Sequence, residues 1–231
     1  MTQPPPPGRL VTLDGPGGVG KSTTIAALTA HLRERGETVH ATTEPSHSAL
    51  GQFTRAHADH IRGRALACLV AADRYHHLGT EIQPRLAAGA TVVCDRYLAS
   101  TLVVQRLDDV PEPFLLALNA DIRLPDLAVI LTAAPDTIAG RLARRGAHHR
   151  FEKDPEVPAR EVALYRSATA TLERLGVRVL TIDTSVLTPQ EAAARIASAL
   201  APPAASVEAT TTAPTSTVTS CPQQPPSSTL T

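Results

Sequence analysis

The sequence predicts a three-layer α/β domain in which a central parallel sheet is flanked by helices. Two observations carry that expectation. Short β-branched apolar runs recur at Leu10–Asp14, Val39–Thr43, Thr91–Asp95, Leu127–Thr132 and Val177–Asp183. Continuous apolar runs of this length suit strands buried on both faces, as parallel sheets require. Between the runs lie stretches with helical spacing, and strand–helix alternation implies right-handed crossovers on the two faces of one sheet.

Each element follows from its residues. After the first run comes a glycine-rich turn and then a helix that aligns Ile25, Leu28 and Leu32 on one face, with Gly36 as its stop. The second run ends at Thr43, just before Glu44-Pro45, and the third ends on the carboxylate of Asp95. Beyond the fourth run, Pro135 and Asp136 have the character of a helix start, and Pro155 to Leu175 holds a further helix before the last strand. No internal repeat interrupts this order. Residues 9–200 therefore read as one domain. Residues 1–8 form a proline-rich lead-in, and 201–231 turn to Pro, Ser, Thr and Ala, a composition that buries too little to offset its ordering entropy.

Bulk properties narrow the function. The chain has 231 residues, with 22 basic and 22 acidic side chains, so its formal net charge is zero. That balance gives no support for a nucleic-acid-coating surface or for binding to anionic membranes. Met1 to Leu10 has no apolar stretch of the signal-peptide kind, and no later run is long and apolar enough to cross a bilayer. The three cysteines, Cys68, Cys94 and Cys221, lack short metal-ligand spacing; Cys68 and Cys94 lie in apolar runs that suggest small core residues. A soluble, reduced, cytoplasmic protein is expected. The adjacent pairs His76-His77 and His148-His149 would point about 100° apart on a helix, which makes poor two-ligand sites. His57 and His60 are better spaced but lack an evident third ligand.

Gly15-Pro16-Gly17-Gly18-Val19-Gly20-Lys21-Ser22, followed by Thr23, fits the phosphate-loop pattern G-x-x-x-x-G-K-[ST]. It stands where the mechanism needs it, after a buried strand and before an amphipathic helix. The glycines let successive N–H groups point at phosphate oxygens, and the helix start adds its positive dipole end. Lys21 would reach the β- and γ-phosphates of ATP, and Ser22 would ligate Mg²⁺. The implied architecture is the three-layer P-loop NTPase fold, which serves many reactions and does not name this one.

Five segments in order then carry a resemblance to the thymidylate kinase family, over most of residues 10 to 183. The phosphate loop is the first. Glu44-Pro45 follows, with Leu50-Gly51 and Arg55, and then Ala71-Ala72-Asp73-Arg74 with Ile82, Pro84 and Gly89. Asp95-Arg96-Tyr97 with Ser100 and Gln105 is the fourth, and Pro125-Asp126-Leu127 leads to an arginine-rich stretch ending Arg150-Phe151-Glu152. The resemblance implies an ATP- and Mg²⁺-dependent kinase that phosphorylates a deoxynucleoside monophosphate, with dTMP the leading acceptor.

It also implies site residues. Asp95 would serve Mg²⁺ with Ser22, while Arg55, Arg74 and Arg96 would grip the acceptor phosphate with planar guanidinium forks. Asp14, Glu44, Val70, Ser100, Thr101 and Gln105 would lie near the acceptor's sugar or base. Residues 141–154 resemble a mobile lid, whose Arg141, Arg145 and Arg150 would join Lys21 and Arg96 in stabilising charge during transfer. Taken singly, each arginine also reads as a surface or structural ion pair. A homodimer through helices flanking the sheet is a further implication.

Four departures bear on the acceptor. Val70 stands where the family usually has a base-stacking Phe, and Thr43 where bacterial relatives have Arg. Gly17 replaces an Asp of the phosphate loop, although Asp14 sits just outside it, and His149 replaces the Asp before Arg-Phe-Glu. Related deoxynucleoside kinases use the Glu of Glu-Pro as a base, so Glu44 could activate a hydroxyl on a nucleoside or specialised metabolite. A degenerate nucleotide-binding switch is the third reading; retention of Lys21, Ser22, Asp95 and the three arginines argues against it.

Overall fold

The computed structural model of the chain describes residues 7–145 and 157–200. Its strands are β1 (Arg9–Asp14), β2 (Val39–Thr43), β3 (Thr91–Asp95), β4 (Leu127–Thr132) and β5 (Val179–Asp183). They form one sheet in the order β2-β3-β1-β4-β5, and every pairing is parallel. The expected fold class holds.

Alternation along the strands sorts the core into two layers. Leu10 of β1, Val92 and Cys94 of β3, and Ala128 and Ile130 of β4 face one way. They pack with residues of α3 (Gly63–His77), α5 (Leu98–Leu107) and α8 (Val157–Arg174). Val11, Leu13, Val93, Val129 and Leu131 face the other way, onto α1 (Lys21–Glu34) and α9 (Pro189–Leu200). Cys68 departs from its expectation, since it lies exposed on the outer side of α3 while Cys94 is buried.

The remaining helices are α2 (Ala49–His57), α4 (Gln83–Ala87), α6 (Glu112–Leu118) and α7 (Pro135–Arg145). A π-helical turn, Leu78–Ile82, joins α3 to α4, and the Gln83 N–H donates to the Leu78 carbonyl across five residues. Among expected boundaries, the last strand begins at Val179 rather than Val177, because the Val177 N–H donates to the Leu172 carbonyl and closes the end of α8. The expected helix start at Pro155 lies outside the described residues, where α8 is given from Val157.

Two sequence signatures have local causes. The Asp126 carboxylate accepts from the Leu10 N–H at 2.8 Å and from Arg123, so Pro125-Asp126-Leu127 locks the entry of β4 beside β1. Gly51 is required by a close approach, since a Cβ there would stand 2.2 Å from the Ser46 carbonyl oxygen.

Candidate active site

The strand order places β1 at the centre, with β3 and β4 as its two neighbours, and the site gathers at the carboxyl ends of β1 and β3. Register sets Leu13 opposite Asp95. Asp14 shares the face of Leu10 and leans toward α5, whereas Asp95 shares the face of Val93 and leans toward α1.

Residues 15–20 wrap from β1 into α1, and Gly20 at the helix start has φ 101°, a left-handed conformation that a side chain resists. Lys21 is buried, and its Nζ donates to the Gly15 and Pro16 carbonyls at 2.8 and 2.9 Å. Burial, aided by the nearby Arg96 charge, pulls the Lys21 ammonium down to about 7. A bound polyphosphate would favour its charged form by the opposite sign of interaction. Thr23 and Thr24 turn their hydroxyls to the Gly20 carbonyl and secure the first turn of α1.

Two openings flank this loop. A cavity of about 220 Å³ is walled by Val19, Arg141, Thr184, Leu187 and Pro189. A wider groove of about 510 Å³ runs between α1 and β2, and both Ser22 and Asp95 line it. Asp95 Oδ1 is buried without a hydrogen-bond partner among the described residues. Burial raises the Asp95 carboxyl's pKa, against the lowering effect of Lys21 and Arg96. A hydroxyl and an unsatisfied carboxylate on one groove fit a hard divalent cation such as Mg²⁺.

Asp14 acts across the sheet edge. Its Oδ1 accepts from the N–H groups of Tyr97 and Ser100, both at 2.9 Å, and so caps the start of α5. Arg96, just before, is held at φ 69°, a region costly for a residue with a side chain. The surroundings over-determine it: the Arg96 N–H donates to the Leu13 carbonyl at 2.9 Å, and Cys94 Sγ donates to the Arg96 carbonyl at 3.1 Å. Its Nη1 lies 3.5 Å from Ser100 Oγ. Burial works against its charge, while Asp95, Asp14 and Glu161 favour it.

Arg74 differs from its expected role as a free phosphate fork. It is 1 % exposed. Its Nε donates to Glu44 Oε2 at 2.8 Å, Nη2 lies 2.7 Å from the same oxygen, Nη2 donates to Thr101 Oγ1, and Nη1 donates to Asn119 Oδ1 at 2.6 Å. The guanidinium also lies over the Tyr97 ring, 4.9 Å from its centroid. All three nitrogens are thus engaged inside the protein, because α3, α5, α6 and the end of β2 converge on this point. Asp73, its neighbour, accepts from the Ser46 N–H and hydroxyl at 2.6 Å each, fixing the turn after the cis Glu44–Pro45 bond.

The other expected residues are distributed around this network. Arg55 is exposed on α2 and donates through Nη2 to the Pro45 carbonyl. Val70 is half-buried one helical turn before Arg74. Gln105 is buried, and its Oε1 has no partner among the described residues. Arg141 is anchored rather than poised: it donates to the Val19 carbonyl at 3.1 Å and to the Thr184 hydroxyl and carbonyl at 3.0 and 2.9 Å. Arg150 and the side chain of Arg145 lie outside the described residues, as do His148 and His149. Sequence reasoning did not single out Asn119, Thr184, Leu187 or Pro189. Thr184 had a signal, because it follows the carboxyl end of β5 at the same edge as the phosphate loop.

Comparison with known proteins bears on the family of the chain. The family model described as thymidylate kinase matches residues 13–192, most of the chain. The thymidylate kinase of Rhizorhabdus wittichii is 38% identical over 206 residues, covering 84% of this chain and 98% of that protein. The thymidylate kinase of Clavibacter sepedonicus is 44% identical over 154 residues, or 63% of this chain and 72% of that one. Among solved structures, the thymidylate kinase of Candida albicans superposes with a TM-score of 0.67 at 19% identity, covering 84% of this chain and 91% of its own. That likeness speaks for the fold. Because a single family model spans nearly all of the α/β domain described above, the chain belongs to the thymidylate kinase family of nucleoside monophosphate kinases.

Proposed function

We propose that this chain transfers the γ-phosphoryl group of ATP to dTMP, releasing ADP and dTDP. The observation that carries the reading is the convergence of Lys21, Ser22, Asp95, Asp14 and Arg96 on the adjacent ends of β1 and β3. An acceptor phosphate oxygen would attack the γ-phosphorus as the bond to the β–γ bridging oxygen breaks. Little covalent work falls to the protein, so positioning and charge stabilisation dominate.

The residues divide the work. Loop amides and Lys21 would hold the donor phosphates, and the 220 Å³ cavity beside Val19 and Arg141 suits the donor's purine. Ser22 and Asp95 would hold Mg²⁺, which neutralises charge on the β- and γ-oxygens when bound. Arg96 and Arg55 would draw in the acceptor phosphate, with Ser100, Thr101 and Gln105 near its sugar and base. Arg74 would act from behind, as a rigid wall. Lid arginines beyond Arg141, with Arg145 and Arg150 as candidates, would close over the transferred group.

Glu44 bears on the nucleoside reading. A base for a 5′-hydroxyl needs an accessible carboxylate. Glu44 is 4% exposed and its Oε2 is engaged by Arg74. That favours an acceptor already phosphorylated.

The deciding experiment is ADP release with ATP and Mg²⁺ against dTMP, dUMP, dCMP, UMP, CMP and thymidine. Preference for dTMP is expected. Turnover of thymidine alone would overturn the reading. Among the described residues no helix is long and apolar enough to cross a membrane, and the cytoplasm, where ATP and nucleotides are plentiful, is the proposed site of action. A homodimer through the flanking helices is also proposed, for which sedimentation equilibrium is the direct test.

A further inference from the structure

Behind the acceptor side lies a group of buried ionisable residues that the transfer reaction does not itself use. His77 follows Arg74 by three residues on α3, so the two share a helix face. Glu44 stands between them. Its Oε2 is taken by Arg74, while its Oε1 lies 3.6 Å from His77 Nδ1. Both of those atoms are buried and without a hydrogen-bond partner among the described residues. Each is the other's nearest means of satisfaction, and a proton on Nδ1 is what would join them.

The far side of the imidazole is also built. His77 Nε2 lies 2.8 Å from Thr42 Oγ1 and 3.6 Å from Glu81 Oε2. Glu81 in turn meets His40 Nε2 at 2.8 Å. The π-helical turn, whose first residue follows His77, includes Glu81 and brings it back toward β2.

We propose that His77, as an imidazolium, is a positioning residue for acceptor binding: it clamps Glu44 from one side as Arg74 does from the other, and so fixes the Arg74 plane against Tyr97 and Thr101. The proposal rests on the dTMP kinase reading for the identity of the acceptor. A doubly held Glu44 cannot swing away from Arg74, and the acceptor wall keeps one geometry. With a neutral imidazole whose proton sits on Nε2, toward Thr42, Oε1 has no donor and Arg74 alone holds the carboxylate.

The charged groups around His77 agree on the direction. Glu44 faces it from the end of β2, Glu81 from the π turn, Asp73 from its own helix, and His40 acts through Glu81. Cys94 of β3 is within 4.8 Å of Glu44 and His77, and burial pushes its thiol well up, so it stays neutral. Arg74 is an opposing cation, and Glu44 lies between it and the ring. Burial lowers the His77 pKa, but the nearby carboxylate of Glu44, with the charges of Glu81 and Asp73, outweighs that and raises it above 6.5. The clamp is therefore complete below about pH 6.5, and it is lost as pH rises through the raised value.

The test is steady-state kinetics of the full chain and of His77→Gln from pH 6 to 9. In the wild type, KM for the monophosphate acceptor should hold steady at low pH and climb through the imidazole titration. His77→Gln should raise that KM about tenfold at low pH and flatten its pH profile, with kcat and the KM for ATP within about twofold. An unchanged profile, or a lower unfolding temperature with normal kinetics, would overturn the proposal. So would one equivalent of metal retained by the purified protein, since Glu44, His77 and Cys94 would then be its ligands. Should His77→Gln not fold, the half-exposed Glu81→Gln carries the test: its lost charge must move the KM breakpoint to lower pH. Imidazole NMR titration of the ligand-free protein separates the two readings. Turnover of nucleosides alone would defeat the dTMP assignment, while an ordinary or lowered His77 pKa would defeat the clamp.

Discussion

The donor and acceptor sides of this site are built from different materials. On the donor side, the phosphate loop is a local device in which Lys21 bonds to carbonyls five and six residues away, and the rest of the cradle is backbone. On the acceptor side, Arg74 is held by Glu44, Thr101 and Asn119, residues 30, 27 and 45 positions distant. The first arrangement is specified by eight consecutive residues. The second exists only once α3, α5, α6 and β2 have met. Damage to the donor loop should therefore cost chemistry and spare the fold, whereas damage to the acceptor wall should cost the fold first.

The largest expected effect tests the acceptor wall. Glu44→Ala leaves a buried guanidinium without its carboxylate, which should lower stability by about 3–5 kcal/mol in urea unfolding. Adding Arg74→Met should recover part of that loss, because the stranded charge is gone; failure to recover would mean that the pair is not coupled. Next comes Lys21→Ala, expected to lower kcat about 10²–10³-fold while the unfolding midpoint stays near the wild type. Near-normal turnover there would remove the basis of the donor-side assignment. Val70→Phe sharpens the comparison from the substrate's side, since a ring one turn before Arg74 should tighten dTMP by about 1 kcal/mol, roughly fivefold in KM. A weaker dTMP interaction would show that the pocket is shaped for an aliphatic contact. The smallest change is expected from Ser48→Ala, which removes the hydroxyl that accepts from the Gly51 N–H at the start of α2. It should cost ~1 kcal/mol of stability and leave kcat unaltered.

How much was legible in the sequence follows the same division. The five strands and the phosphate loop could be read because their signals are contiguous. Among the helices, α5 carried no amphipathic pattern, since Leu98 through Val103 are buried on every side of it. The π turn has no composition of its own. At the site, Asp14, Lys21, Ser22 and Asp95 could be picked out by motif and strand end, and all four lie at the carboxyl ends of β1 and β3 or the start of α1. For Arg74 the residue could be identified but not its surroundings. A sequence cannot show that Asn119 will arrive beneath it to accept its third nitrogen, because that contact is decided by the packing of α6 against α3. The anchoring of Arg141 was illegible for a related reason, as its partner Thr184 comes from a loop 43 residues further on.

Asp14 joins the two halves of the site. One carboxylate oxygen at the tip of the central strand receives the amides of Tyr97 and Ser100, 83 and 86 residues away. The loop that carries Arg96 is therefore bolted to the residue from which the phosphate loop departs. Mechanically, the two substrate sites share a fulcrum, and neither can be displaced without tilting the other. In the language of linkage, occupancy of one site should alter affinity at the other by an equal factor in both directions, with Asp14 as the joint through which the coupling passes.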